Sequence, residues 1–234
     1  MYPSERDRAG GHREPAYRLE DLVGCGCLDE AIGRLLAACV RAGLNIVISG
    51  PAGSGKTTML DALCAQIPGD ERVVHEPDGR SCPGLTPPEG RPQRLVVGEV
   101  RGSEALDVVR VMAHGPQVAL TTVRTSSPDE ALPRLASLAG QAAPAPCSRS
   151  VATTAGQAVD VIVHLERHEG PPRVVEVALP MAGRDGPFAL STLACFECDR
   201  FRHFPVSARI AARLRAKGEP IPASFCEERF RRVR

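Results

Sequence analysis

The chain has 234 residues, of which 43% are apolar, and a formal net charge of +1. That suits one large domain, or a domain with a small appendage, built on a sizeable core. The balanced charge gives no global case for nucleic acid, and neither a signal-type apolar segment nor a run of about 18 apolar residues is present. A cytoplasmic location is the expectation, with any association at the inner face of the membrane made through a partner.

In chain order, residues 1–17 are polar and charged and read as a disordered tail. Residues 18–43 read as a linker and leading helix, with Leu28, Ile32, Leu35, Leu36, Cys39 and Val40 on one stripe and Gly43 at the end. "LNIVIS" reads as a buried parallel strand, and "GKTTMLDALCAQI" as a helix stopped at Pro68 and Gly69. "ERVVHE" is a second strand. The proline- and glycine-rich residues 77–93 exclude a long helix.

"RLVVGEV" is a third strand, followed by a helix that Ser103 can cap, and "QVALTTV" is a fourth. "SPDE" at 127–130 reads as a helix start, with Ser127 as cap and Glu130 closing a capping box; Pro133 is expected to distort that helix. "GQAAPAPCS" reads as a loop. "VDVIVHLE" and "RVVEVALP" form an antiparallel hairpin, and "FALSTLACFE" adds a further strand. A core over 44–199 then gives way to a basic helix and tail over 200–234. Alternating strands and helices imply an α/β fold with a mostly parallel sheet flanked by helices and an antiparallel extension toward the C-terminus.

Nine cysteines, an odd number, suggest reduced thiols. Cys195 and Cys198 have zinc-knuckle spacing, with His203 nearby. A second pair is missing, so small side chains in or near a core are the favoured reading.

Gly50-Pro51-Ala52-Gly53-Ser54-Gly55-Lys56-Thr57 satisfies G-x-x-x-x-G-K-[ST], with an apolar strand before it and an amphipathic helix after it. Glycines let successive N–H groups converge on phosphate oxygens, and the helix N-terminus favours anions. Lys56, one of two lysines in the chain, would reach the β- and γ-phosphates, and the Thr57 hydroxyl would hold Mg²⁺. Thr58 completes the set of residues expected to bind ATP. Glu99, after three apolar strand residues, is the carboxylate expected beside the metal, acting through water, on a strand next to the loop. Arg101 comes two residues later as a sensor of phosphate or a bridge to a neighbouring subunit. Arg124, at the end of "ALTTV", either touches the γ-phosphate or is an ordinary charged strand end.

"RAGLNIVISGPAGSGKTTMLDAL", "LVVGEVRGSEALDVVRVM" and "ALTTVRTSSPDEALPRL" together resemble the ATPases of type II/type IV secretion and of tight-adherence (Flp) pilus assembly, the CpaF type. The resemblance covers roughly residues 17 to 226. It implies a RecA-like motor core, ATP and Mg²⁺ as ligands, a hexameric ring and a partner platform at the inner membrane. By the same resemblance, Gly50 to Thr58 would be the Walker A loop, Glu99 the Walker B glutamate that positions water, and Arg101 that motif's arginine. Four features depart from the family, one being that the proline-rich segment 77–93 stands where a helix would separate the acidic box from Glu99. No N-terminal domain precedes the linker. The acidic box after the loop helix falls to Glu76 or Asp78. The family's T-T-V-H reads T-T-V-R, so Arg124 stands where a histidine is expected. Two functions are compatible with this pattern: a motor that hydrolyses ATP, or a hydrolysis-poor nucleotide-binding module that joins or regulates a full-length secretion ATPase. A small-molecule kinase or a helicase fits less well, since the chain has eight aromatic residues and no base-stacking platform.

Overall fold

In a computed structural model, residues 17–76, 93–114, 117–143, 148–167, 170–181 and 189–226 are described. The expectations for the N-terminal tail up to residue 16, for 77–92, and for Asp78, Cys82 and Cys147 lie outside these residues.

The order of elements is α1 (Leu19–Gly24), α2 (Glu30–Arg41), β1 (Ile46–Gly50), α3 (Lys56–Cys64), β2 (Arg72–Glu76), β3 (Gln93–Val100), α4 (Glu104–His114), β4 (Val118–Arg124), α5 (Ala131–Ala142), α6 (Ser148–Ala158), β5 (Val161–Glu166), β6 (Arg173–Met181), β7 (Ala189–Glu197), β8 (Arg200–His203) and α7 (Ala208–Ala216). One sheet runs β2-β3-β4-β1-β5-β6-β7-β8. Its first five strands are parallel; β5 to β8 are joined antiparallel. The expected fold class is therefore the observed one.

The apolar runs sort by alternation. Ile46 and Ile48 of β1, Val96 of β3, Leu120 of β4 and Val161, Val163 and Leu165 of β5 face one core with α1, α2, α3 and α7. Val47, Leu95, Val97, Ala119, Val123 and Ile162 face a second core with α4, α5 and α6. A strand buried on both faces needs no polar alternation, which is why these segments read as continuous apolar runs. Beyond β5, Val174, Val177, Leu179, Leu193 and Ala194 join the first core, where Phe225 is fully buried.

Local signals fix the ends. The Asp29 carboxylate accepts from Ile32 N at 2.9 Å at the start of α2. At its end Gly43 has φ +75°, and Leu44 N–H returns to Cys39 C=O at 3.0 Å, a Schellman closure. Asn45 then ties the base of three strands together. Its amide donates to Met112 O and Ala158 O, its oxygen accepts from Ala119 N at 2.9 Å, and its own N–H donates to Asp160.

Several expectations are corrected. Pro128–Glu130 forms a 3₁₀ turn in which Ser127 makes no side-chain cap bond; Glu130 accepts instead from Ser126 N at 2.8 Å. Pro133 falls in the first turn of α5, where a missing N–H costs little. Glu104 reaches back to Arg101 N and Gly102 N at the head of α4. The segment after "GQAAPAPCS" holds a further helix, α6, and β8 pairs with β7 across Cys198 and Asp199 at φ +50° and +59°. The basic helix α7 docks one face on the core, while Arg209, Ala212 and Arg215 stay exposed. Arg213 donates to Asp160 and to Gly43 O, Arg209 lies 3.2 Å from Asp160, and Ile210 and Leu214 are fully buried.

Candidate functional site

The loop from Gly50 to Gly55 joins β1 to α3 at the C-terminal end of the parallel strands. Gly50, Gly53 and Gly55 have φ of +147°, +76° and +87°. Gly50 is needed for space as well: a Cβ there would stand 2.2 Å from Leu165 O. A Cβ on Gly55 would stand 2.8 Å from Pro172 Cβ. The β5–β6 hairpin is thus a wall against which the loop is pressed.

Gly55 occupies the N-cap of α3 and offers no side-chain acceptor, so the first amides of the helix are left for another partner. Ser54 Oγ is buried without a hydrogen bond. Lys56 is 8% exposed, and its Nζ donates to Pro51 O at 2.6 Å. Burial pulls its pKa below the usual lysine value, Glu99 opposes this, and Arg124 adds to it. Uncapped amides, an orphan hydroxyl, a desolvated cation and glycine-only backbone fit a phosphate chain. Thr57 is exposed and Thr58 half-buried on the first turn of the same helix, while Pro51, Ala52 and Gly53 form the exposed crest.

Glu99 arrives by a less direct path than its sequence context suggests. Its strand is not beside the loop's strand, because β4 lies between them. Val97 pairs with Thr121 and Val100 with Val123, so three steps on β3 match two on β4. This bulge at Gly98 and Glu99, held by Thr122 Oγ1 donating to Gly98 O at 2.5 Å, turns the carboxylate. Gly98 inside an apolar strand was the signal for it.

Gly50 is paired with Arg124 across β1 and β4. Arg124 Nε lies 3.5 Å from Glu99 Oε1, and Arg101 Nη2 donates to Glu99 Oε2 at 2.5 Å. Lys56, Arg124 and Glu99 therefore share one electrostatic neighbourhood. Thr125 Oγ1, just past this end of β4, and Thr121 Oγ1, at mid-strand, are buried without hydrogen bonds. Glu76 closes β2 opposite Val97, at the sheet's edge.

Outside this site, Cys198 sits in the β7–β8 turn, and His203 Nε2 lies 2.8 Å from Asp29 Oδ2. Among the described residues no cluster of three or more His, Cys, Asp or Glu could hold a metal. The described cysteines are free, and burial pushes Cys27 up to about 11 and Cys39 and Cys64 up to about 12, which keeps them as thiols. Among the described residues, no helix is long and apolar enough to cross a membrane.

The model of the family "Type II/IV secretion system protein" matches residues 13–78 and 90–202. The conjugal transfer protein TrbB of Rhizobium radiobacter is 31% identical over 182 residues, 68% of this chain and 55% of that protein. The type IV secretion system protein PtlH of Bordetella pertussis is 34% identical over 128 residues, 43% of this chain and 38% of that protein. The chain spans about half the length or less of these curated relatives. The ATPase DotB of Legionella pneumophila superposes with a TM-score of 0.51 over 75% of this chain and 54% of that one, at 14% identity, a likeness of fold. With the family model matching well over half its residues, the chain belongs to the type II/IV secretion system protein family.

Proposed function

We propose that this chain binds Mg·ATP at the Gly50–Thr58 loop and helix and acts as the nucleotide-driven part of a secretion or pilus-assembly system, with CpaF-type motors as one branch of that family. The observation that carries the reading is the pressed loop and its uncapped helix, with Glu99, beside a bulge two strands away, near enough to act on Lys56. Backbone amides of Gly53, Ser54 and Gly55 and the Lys56 ammonium would hold the phosphates. Thr57, with Glu99 through water, would hold Mg²⁺, which when bound neutralises charge on the phosphate oxygens. Glu99 would orient the attacking water, and Lys56 and an arginine would stabilise the charge that develops during in-line attack. Arg101, 72% exposed at its side chain, would meet a neighbouring subunit of a ring, and the ring would work against a platform protein at the inner membrane face.

One observation favours the second reading, a hydrolysis-poor module that joins or regulates a full-length secretion ATPase. Glu99 is engaged by two guanidinium groups, one of them Arg124 in place of the family's histidine. An arginine stays charged at every working pH, so that engagement does not lapse. Phosphate release by the purified chain and by Glu99→Gln separates the two. The motor reading expects measurable turnover that falls at least a hundredfold in the variant while nucleotide binding persists. Equal, negligible release from both selects the module; equal, substantial release removes Glu99 from the chemistry.

A further inference from the structure

On the β5 side of the phosphate loop lies a buried polar pair. His164 of β5 is fully buried, and its Nδ1 is 2.8 Å from the hydroxyl of Ser49, itself fully buried. The parallel register sets the two residues opposite each other. The ring's far nitrogen, Nε2, has no hydrogen bond and stands 3.6 Å from Glu166 Oε1. A carboxylate on that side favours the Nε2–H tautomer, leaving Nδ1 to accept and the Ser49 hydroxyl to donate. The serine–histidine–acid order is not a nucleophilic site, because no substrate atom can reach a fully buried Oγ.

The neighbours of the pair set its role. Ser49 immediately precedes Gly50, the first residue of the loop. Gly50 is pressed against the carbonyl of Leu165, the residue after His164, and its own carbonyl accepts from Thr125 N at 3.3 Å. Two aliphatic side chains would fill the same space with no polar group to desolvate, and Val47 and Ile162 on these strands are such residues. The polar pair adds direction: a single hydrogen bond fixes Ser49 against β5 where the strand turns into the loop.

We propose that His164 is a positioning residue for nucleotide binding, holding the start of the phosphate loop through the Ser49 hydroxyl. The proposal rests on reading that loop as the nucleotide site. The ring holds its place as a neutral group. Burial lowers its pKa below 6.5; Glu166 opposes this, Lys56 adds to it and Glu130 opposes it. As pH falls from 6.5 toward the lowered value, the unfolded chain takes up a proton that the folded chain refuses, so stability is lost over that window. Below the lowered value the ring is protonated on both nitrogens, and Nδ1 no longer accepts from Ser49.

Titration of a fluorescent ADP analogue tests this on the full chain, with urea unfolding as a check on each variant. His164→Leu and Ser49→Ala should each weaken binding about tenfold, and the double variant no further, because both remove one bond. His164→Asn, whose amide oxygen replaces Nδ1, should bind within about threefold of the parent; His164→Gln, which reaches toward Nε2 instead, should match the leucine variant. The affinity ratio of the parent to His164→Asn should hold at pH 6.5 and fall only as pH passes below the lowered pKa of the ring, a comparison in which titration of the nucleotide cancels. Should His164→Leu fail to fold, Ser49→Ala and the asparagine–glutamine pair decide. Parent-like binding by Ser49→Ala, or equal binding by the asparagine and glutamine variants, overturns the proposal. Absence of binding by the parent chain overturns the nucleotide reading itself, a separate result.

Discussion

The contact between the phosphate loop and the β5–β6 wall predicts unequal costs for two alanine substitutions in one loop. Gly50 and Gly53 both have positive φ, so each alanine brings backbone strain of about 1–2 kcal/mol. Their surroundings differ. The new Cβ at position 53 meets nothing within 4 Å, whereas at position 50 it meets Leu165 O at 2.2 Å and Ser54 Oγ at 2.6 Å. The serine can rotate; the carbonyl belongs to a central strand and cannot. Relieving that overlap costs about 1–3 kcal/mol more. Gly50→Ala should therefore lose about 2–5 kcal/mol and Gly53→Ala about 1–2 kcal/mol. For a chain of this size that is a drop in Tm of about 10 °C against about 4 °C. Urea unfolding without nucleotide, followed by circular dichroism, isolates the structural term from any ligand effect. Equal losses in the two variants would refute the argument that the loop is seated on β5.

Charge placement gives two further outcomes. Arg213→Ala leaves Asp160, 3% exposed at its side chain, with Arg209 and the Asn45 N–H, and removes the donor to Gly43 O; a loss of about 2 kcal/mol in urea unfolding is expected, and a neutral result would show that α7 does not anchor the base of the sheet. Arg124→His removes a permanent cation 3.5 Å from Glu99, so phosphate release per chain should rise several-fold at pH 7.5; unchanged or lower release would show that Arg124 does not restrain Glu99.

The parts of the fold legible in the sequence were those in which burial is continuous. β1, β3, β4 and β5 stand between two cores, so their apolar runs carried their own assignment. The turn between β1 and α3 was legible because its positive-φ positions call for glycine at fixed spacing. The missed elements have weaker contrast. α6, "SRSVATTAGQA", is rich in alanine and threonine, so its buried face does not stand out in the sequence. β8 is four residues of half-exposed, basic sequence, which reads as part of a basic tail.

Within the site, Glu99 was picked out by its place after an apolar run, and Gly98 carried the signal for the bulge beside it. Asn45 and His164 sit inside apolar runs where a single polar residue looks incidental. Their roles depend on partners far along the chain: Asp160 for Asn45 and Ser49 for His164. The docking of α7 was not legible in the sequence, because Asp160, the counter-charge to Arg209 and Arg213, comes from a separate element.

Isothermal titration of Mg·ATP into the purified chain tests the central claim most directly. One nucleotide per chain is expected, lost in Lys56→Ala although that variant melts like its parent, with binding weakening as pH rises through the lowered pKa of Lys56. Undiminished binding by Lys56→Ala, or no heat from the parent chain, would contradict the assignment of the Gly50–Thr58 segment as the nucleotide cradle.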